Sequence, residues 1–427
     1  MPGGQVPVAP RTVLVAGAGG AGRTAVACAL AARGAAAGRR VLLISIGRVA
    51  DPLTATPAAG YDHVHLNPIR LLADWWERTA RAVAASRPMR GDGEPPGFDP
   101  FVLEPPEITG LADAEHLLTL AAVHRYATGE GGYDDVLVDA PGFEHLAALL
   151  TAPATVAAYL ERVWPRHVRL SGPATDGPAT GALAGLILAE RLTVLAEQLA
   201  AFVGDRDALR LLYVLVADGG RIPRARSELA ALEVLGLRPA AIVLNRVLRA
   251  DSRFAHDLPH PALQWFARRL ADQEAALSGA AEFGAALARP VLTVDEAPAP
   301  LADAADAGRL DVSRPGGSDT ESGGPAAGDV LSLLGSDDAA PPAVRHVGGT
   351  GLDARYEWTV ELPLVDPATI GLGRVEEDVV IDAEGVRRRI RLPSVLRRCV
   401  VEGASYSDDA LHVSFVPDPE VWPRGGA

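Results

Sequence analysis

The sequence contains no lysine, so all 40 of its Lys and Arg positions are arginine. Its two cysteines, Cys28 and Cys399, are far apart, which excludes a disulfide framework and the paired spacing of a zinc site and predicts two buried thiols. The net charge of −14 does not favour nucleic acid or an anionic membrane surface. Long apolar runs and a targeting signal are also lacking. We therefore expect a cytoplasmic protein with no integral membrane segment and no nucleic-acid partner.

Hydrophobic residues make up 48% of the 427 positions, enough for a sizeable core in two or three domains. Short apolar runs at Val13–Ala16 and Val41–Ile46 predict buried strands, and Arg23–Ala36 between them predicts a helix. Further strands are predicted at Tyr133–Asp139, Leu211–Val216, Ala241–Asn245 and Val291–Val294, with helices at Asp62–Ser86, Leu111–Thr128, Ala152–Val163, Ala182–Val203, Arg224–Leu235 and Pro261–Ala288. This alternation predicts an α/β fold with a doubly wound parallel sheet.

The last quarter of the chain has a different composition. Residues 311–351 are rich in Gly, Ser, Asp, Ala and Pro, which predicts an acidic flexible linker. Alternating segments separated by turn residues then predict a small all-β sandwich. The run Arg387–Arg389 lies in one of these segments, and we expect it on a solvated strand face, paired with acids.

A glycine-rich turn follows the first predicted strand and leads into the first predicted helix. Gly17 and Gly22 have the spacing of a phosphate-binding loop, with Gly19 and Gly20 between them and Thr24 after them. The basic position of that motif is normally Lys but is Arg23 here. Since the whole chain lacks lysine, Arg23 is open to two interpretations, a general composition bias or a functional loss.

Several motifs together resemble the ArsA/GET-type ATPases, a family of arsenical-pump ATPases and targeting factors for tail-anchored membrane proteins. The loop Gly17–Ala25 resembles the family's GKGGVGKTT. His65–Pro68, leading to Trp75 and Trp76, resembles the helix after switch I, and Tyr133–Pro153 resembles switch II. Ile242–Leu248 resembles the adenine-side VVNRVLP motif. The α-crystallin-like domain of some bacterial members is resembled by Leu362–Leu364, Leu372–Arg374 and Arg391–Pro393.

The resemblance implies a P-loop NTPase domain at residues 1–310. Its helical insertions, at about 60–130 and 145–210, would form a client-binding subregion. The linker 311–351 and an α-crystallin-like β-sandwich at 352–420 would follow. The resemblance also implies binding of ATP or ADP with Mg²⁺. The residues implied to bind nucleotide are Gly17, Gly19, Gly20, Gly22, Arg23, Thr24 and Asn245, the last of which would recognise adenine. Thr24 would be a magnesium ligand, and Asp139 would act in the outer shell of the metal.

Three departures from the family pattern fall on the chemistry. Ala18 replaces the family's signature lysine, which reaches the partner's phosphates across a dimer interface. Arg23 replaces the P-loop lysine, and Gly47 replaces the switch I acid that orients the attacking water. Asp51, four residues later, is either a shifted copy of that acid or part of a surface turn. Because composition bias explains neither Ala18 nor Gly47, we assign no catalytic residue.

These observations favour a degenerate ATPase subunit that dimerises and binds hydrophobic protein segments in a targeting or chaperone role. The dimer would form with a second copy or with an intact ArsA-like paralogue. The apolar helices around Leu146–Leu160 and Leu183–Leu199 would line a client groove or, alternatively, pack in the core. One alternative function is an active ATPase that drives client or anion transfer. Another is an ATP-independent holdase based on the β-sandwich.

Overall fold

The computed structural model describes residues 10–55, 60–85, 104, 107, 113–170, 179–205, 207–249, 260–314, 334 and 343–422. These residues form two compact units. The first contains the chain up to Arg210 together with Ala297–Val312. The second contains Leu211–Glu296 and the described residues from 334 onward.

The first unit has a parallel sheet in the order β3-β2-β4-β1. Its elements are β1 (Arg11–Gly17), α1 (Arg23–Ala36), β2 (Val41–Ile46), α2 (Pro52–Ala55), β3 (Asp62–Leu66), α3 (Pro68–Ala85), α4 (Ala114–Ala127), β4 (Asp135–Asp139), α5 (Phe143–Val163), α6 (Arg166–Leu170) and α7 (Ala179–Gly204). Val15, Ile44 and Val138 are fully buried, as expected for central strands covered on both faces.

The prediction of a helix beginning at Asp62 is wrong for its first five residues, which form β3 beside β2. From His63 to Leu66 polar and apolar side chains alternate, which is the pattern of a half-exposed edge strand. The helix begins only at Pro68. There the side-chain oxygen of Asn67 accepts hydrogen bonds from the backbone N–H groups of Ile69 and Arg70.

The predicted helical insertions correspond to α3, α4, α5 and α7 in the described residues. Helix α4 packs against α3, α5 and α7, and α5 packs against α7. Buried Arg169 on α6 donates to the carbonyl of Trp164 and to the hydroxyl of Thr193, which ties the end of α5 to α7. Within the described part of the chain, α5 alone has the length and hydropathy of a membrane span, a weak signal that core helices of soluble proteins share.

The second unit contains parallel strands in the order β5-β6-β7, close to the three predicted positions. Its first elements are β5 (Leu209–Val216), α8 (Ile222–Val234), β6 (Pro239–Val247), α9 (His260–Leu287) and β7 (Val291–Asp295). The short helix α10 (Ala304–Ala307) belongs to the first unit, where it packs on α1, and is followed by β8 (Val312–Ser313).

The remaining strands form the two sheets of a β-sandwich. One is antiparallel in the order β14-β15-β10-β9, and the other is antiparallel in the order β11-β12-β13. Their bounds are β9 (Ala343–Gly348), β10 (Arg355–Glu361), β11 (Gly371–Val375), β12 (Asp378–Ala383), β13 (Val386–Arg391), β14 (Cys399–Ser407) and β15 (Ala410–Pro417). Trp358, Ile381 and Phe415 are fully buried in its core.

Strand β9 corrects the predicted linker, because residues 343–348 pair with β10. Most of its side chains are exposed, so its sequence shows no apolar face. The expectation for the arginine run is confirmed at two positions, since Arg387 pairs with Asp382 and Arg389 with Asp378. Arg388 instead donates to the carbonyl of Val234 at the end of α8.

Candidate functional site: the phosphate loop

The loop between β1 and α1 has a backbone that glycine favours. Gly20 and Gly22 have φ angles of +77° and +83°, which side-chain-bearing residues rarely adopt. Ala18 and Ala21 are buried, whereas Gly19 and Gly20 are exposed. Since α1 begins at Arg23, the N–H groups of its first turn directly follow the loop glycines Gly19, Gly20 and Gly22. Such an arrangement can hold a phosphate by its backbone alone.

Thr24 and Asp139, the two residues predicted to act on magnesium, lie together. The Thr24 hydroxyl donates a hydrogen bond of 2.8 Å to Oδ2 of Asp139 at the end of β4. Burial raises the pKa of Asp139 to about 6, an effect that Thr24 and Arg23 oppose and the charge of Asp51 reinforces. A hydroxyl beside a carboxylate is the oxygen donor set that Mg²⁺ prefers next to a phosphate loop. The residues therefore fit a magnesium–nucleotide complex.

Arg23 occupies the basic position of the loop, but its side chain is engaged elsewhere. Its Nη1 donates to the carbonyl of Ala140 at 2.6 Å and also to the carbonyl of Pro141. These two carbonyls belong to the connection between β4 and α5. The prediction that Arg23 binds nucleotide stays a prediction, because here its guanidinium holds that connection.

Comparisons with known proteins agree with this geometry. Residues 10–53 match the family model of the anion-transporting ATPases, and residues 353–415 match that of the HSP20-like domain found in ArsA. The chain is 32% identical over 443 residues to Protein Rv2184c of Mycobacterium tuberculosis, in an alignment that covers 98% of each chain. The chain belongs to the ArsA ATPase family, in the form with a C-terminal HSP20-like domain. It is also 29% identical over 428 residues to protein SCO2128 of Streptomyces coelicolor, covering 97% of this chain and 100% of that protein.

In this ArsA-family chain, Gly47, which was predicted to replace the switch I acid, lies just after β2. Its N–H donates to the carbonyl of Leu66, and a Cβ placed on it would lie 3.2 Å from the carbonyl of Val49 and 4.0 Å from Cε1 of His65. The nearby acid Asp51 is half-buried and accepts a hydrogen bond of 2.9 Å from the N–H of Leu53 at the start of α2. It is part of a turn, yet its charge contributes to the raised pKa of Asp139. Asp51 therefore acts electrostatically on the candidate metal pair.

A polar row beside Asp139 was missed in the sequence. In the sheet register, Ser45 lies opposite Asp139 on one side and His65 on the other. The buried Ser45 hydroxyl lies 2.9 Å from Nε2 of His63 and 3.1 Å from Nδ1 of His65. Burial and the neighbouring His65 lower the pKa of His63. The sequence signal for this row was the alternation of His63 and His65 with Val64 and Leu66, which is typical of a strand. The prediction of a helix over this segment concealed it.

Both cysteines are buried, as predicted. Burial raises the pKa of Cys28, on α1, to about 11, which keeps this thiol protonated and unreactive. Among the described residues, no group of three or more His, Cys, Asp or Glu side chains is arranged to hold a metal ion.

Asn245, the predicted adenine-side residue, lies near the end of β6 in the second unit. It is buried, and its side-chain oxygen accepts a hydrogen bond of 2.9 Å from the N–H of Arg246. Helix α9 supports the segment that follows, because the Gln273 amide pairs with both the N–H and the carbonyl of Leu248, at 2.7 and 3.0 Å. The segment is thus anchored by side chain-to-backbone bonds, and the adenine role of Asn245 stays a prediction.

Proposed function

We propose that this chain is a degenerate ArsA-type subunit of the cytoplasm. It binds ATP or ADP with Mg²⁺ but hydrolyses ATP slowly or not at all. It dimerises, with a second copy or with an intact ArsA-like paralogue, and it binds hydrophobic segments of other proteins in a targeting or chaperone role.

The observation that carries the proposal is a contrast within the loop region. Its backbone fits a phosphate, whereas the charged side chains of the family pattern are engaged elsewhere or missing. The loop glycines retain a backbone that fits a phosphate, and the Thr24–Asp139 pair retains two oxygen donors for magnesium. The donors at Nη1 of Arg23 are engaged by two backbone carbonyls, and neither Ala18 nor Gly47 carries a charge. Since phosphoryl transfer depends on positioning and on charge stabilisation, this site supports binding better than turnover.

An apolar surface in the helical region supports the client-binding part of the proposal. On α5, Tyr159 and Val163 are 65% and 63% exposed, and Val168 on α6 is 48% exposed. Val194 on α7, which packs against α5, is also exposed. Tyr159 and Val163 are four residues apart and therefore lie on one face of α5, and exposed apolar side chains that share a helix face are typical of surfaces that bind apolar segments. The earlier alternative, core packing, applies to the first half of α5, where Leu146, Leu149 and Leu150 are buried.

A titration with a fluorescent ADP analogue, with and without Mg²⁺, tests the nucleotide step. The proposal predicts saturable binding that Mg²⁺ strengthens. Asp139→Asn should remove the effect of Mg²⁺ without unfolding the chain. If no binding is detected at millimolar nucleotide, the nucleotide part of the proposal fails and the chain acts only as a binding scaffold.

Asp51 favours the second candidate, an active ATPase. Its carboxylate is half-buried and acts on Asp139, so it is available to orient a water in place of the acid missing at Gly47. This function predicts Mg²⁺-dependent turnover that both Asp51→Asn and Arg23→Ala abolish. Equal release of phosphate by the wild type and Asp51→Asn excludes it.

A third candidate, the holdase, is favoured by exposed valines on the HSP20-like sandwich. Val400 and Val401 lie on the edge strand β14, and Val347 lies on the opposite edge strand β9. This function predicts that the full-length chain suppresses aggregation of an unfolded test protein without nucleotide. Combined Val400→Ser and Val401→Ser substitutions should then weaken the suppression, whereas Tyr159→Ser should not.

A further inference from the structure

The connection between β4 and α5 is held by a side chain from another element. Ala140 is fixed to the sheet, since its N–H donates to the carbonyl of Val15 at 3.0 Å. Pro141 has no N–H to donate, and Gly142 caps α5 without a side-chain hydrogen bond. The bonds from Arg23 to the carbonyls of Ala140 and Pro141 therefore restrain the backbone just where α5 begins.

The backbone of the residue that carries this guanidinium lies at the proposed phosphate position. Arg23 is the first residue of α1, so a phosphate held by the loop lies beside its own backbone. A phosphate oxygen is charged and is a stronger acceptor for a guanidinium than a backbone carbonyl. The phosphate and the two carbonyls thus compete for the same donors.

We propose that Arg23 is a phosphate-responsive tie. Its guanidinium fastens the connection between β4 and α5 through the carbonyls of Ala140 and Pro141, and a bound phosphate draws the guanidinium away from them and releases the start of α5. This inference rests on the proposed binding of nucleotide and adds to it a role for the residue that replaced the loop lysine.

The tie links the loop to the apolar surface described above. Helix α5 begins at the restrained connection and carries Tyr159 and Val163 near its other end. When the start of α5 is released, its packing against α4 and α7 changes with the state of the loop.

Hydrogen exchange of the peptide 140–150 in the full-length protein tests the tie, with and without Mg²⁺ and the non-hydrolysable analogue AMPPNP. In the wild type, the analogue should speed exchange by about tenfold, the effect of losing hydrogen bonds to a charged group. Arg23→Gln should exchange fast without nucleotide and show no further change. Arg33→Gln is the matched control, because Arg33 lies on the same helix and donates to the carbonyl of Val312, far from the loop.

Two results overturn the inference. In the first, fluorescence titration shows that the wild type binds the analogue, but its hydrogen exchange does not change. Nucleotide binding would then stand, and only the role of Arg23 as a tie would fail. The other is an Arg23→Gln variant whose exchange matches that of the wild type with and without the analogue. If the analogue does not bind, the proposed function is wrong, and the proposed response of Arg23 to nucleotide is wrong with it. If Arg23→Gln does not fold, Arg23→Lys replaces it. Its exchange rate should lie between the rates of the wild type with and without the analogue.

Discussion

The hydroxyl of Thr24 and the carboxylate of Asp139 are joined by a hydrogen bond of 2.8 Å, which links the first turn of α1 to the end of β4. The two residues are 115 positions apart, yet they form the pair of oxygen donors that a magnesium ion needs beside a phosphate loop. The pair lies in a site without a loop lysine or a switch I acid. The site therefore keeps two candidate metal donors, whereas Ala18, Arg23 and Gly47 depart from the family pattern at its charged positions.

Thr24→Val tests this pair, since it removes the hydroxyl and keeps the shape of the side chain. With Mg²⁺, nucleotide affinity should fall by about 10-fold, as for other losses around a metal ligand, and without Mg²⁺ it should not change. Isothermal titration calorimetry measures both.

Thr12→Val is the matched control, because the Thr12 hydroxyl is buried on β1 and has no hydrogen-bond partner among the described residues. It should bind nucleotide like the wild type and be equally or more stable. A loss of affinity that is equal with and without Mg²⁺ in Thr24→Val would contradict the metal role.

Gly22→Ala should destabilise the loop. Its φ of +83° lies in the left-handed region, where a side chain costs about 1–2 kcal/mol. The change should appear as a lower free energy of unfolding in urea. Gly19→Ala is the control, since a Cβ at that position meets nothing within 4 Å, and it should change stability by less than about 0.5 kcal/mol. Equal losses in the two variants would contradict the assigned backbone requirement.

Within the second unit, Glu233 at the end of α8 accepts a hydrogen bond of 2.9 Å from the N–H of Leu364 in the HSP20-like domain. Its side chain is fully buried and lies 3.6 Å from Arg238, which also pairs with Glu361. Burial raises the pKa of Glu233 from 4.5 to about 7, against the opposing effects of Leu364 and Arg238 and with a smaller contribution from Asp409. This carboxylate therefore makes the junction between α8 and the sandwich sensitive to pH.

The sign of the pH dependence follows from that shift. Between pH 4.5 and about 7 the folded chain binds more protons at Glu233 than the unfolded chain does, so this group's contribution to stability decreases as the pH rises. The loss has a limiting slope of about 1.4 kcal/mol per pH unit. Glu233→Gln should flatten the decline in unfolding free energy across this window.

Glu228→Gln on the same helix is the control. Glu228 is buried and accepts a hydrogen bond of 2.6 Å from the Tyr213 hydroxyl, away from the sandwich, so this variant should keep the wild-type pH slope. If Glu233→Gln shows the wild-type slope as well, the pH sensitivity does not come from Glu233.

The apolar surface can be tested by capture of a labelled 20-residue apolar peptide. Combined Tyr159→Ser and Val163→Ser should weaken capture by about 10-fold, because two exposed apolar side chains lose their contact with the peptide. Both positions are exposed, so stability should barely change. Combined Val347→Ser and Leu352→Ser in the HSP20-like domain is the control. A loss of capture in this control alone would move the client site to that domain.

Much of the fold could be predicted from the sequence because buried parallel strands are continuous apolar runs, as at Val41–Ile46. Two of the wrong assignments were edge strands; in addition, α5 begins at Phe143 rather than at the predicted Ala152, and β8 lies inside the predicted linker. Asp62–Leu66 runs directly into a strong helical pattern, and Ala343–Gly348 lies in a polar segment and pairs with β10 through its backbone. An edge strand contributes few buried side chains, so its sequence carries little signal of its own.

The candidate site could be predicted only as far as its motif. The loop glycines, Thr24 and Asp139 have fixed places in the family pattern, and the structure puts Thr24 and Asp139 in contact. The partners of Arg23 are backbone carbonyls 117 and 118 residues away, and no side-chain pattern encodes a carbonyl. The bond from Leu364 to Glu233, which spans 131 residues, was hidden in the same way, because its donor is a backbone N–H.

Release of phosphate from Mg²⁺–ATP by the wild type and by Asp139→Asn, in the full-length protein, tests the central claim most directly. The account predicts that the wild type binds nucleotide in the presence of Mg²⁺ but releases phosphate no faster than Asp139→Asn. Turnover in the ordinary enzyme range of about 1 s⁻¹ or more, abolished by Asp139→Asn, would contradict it.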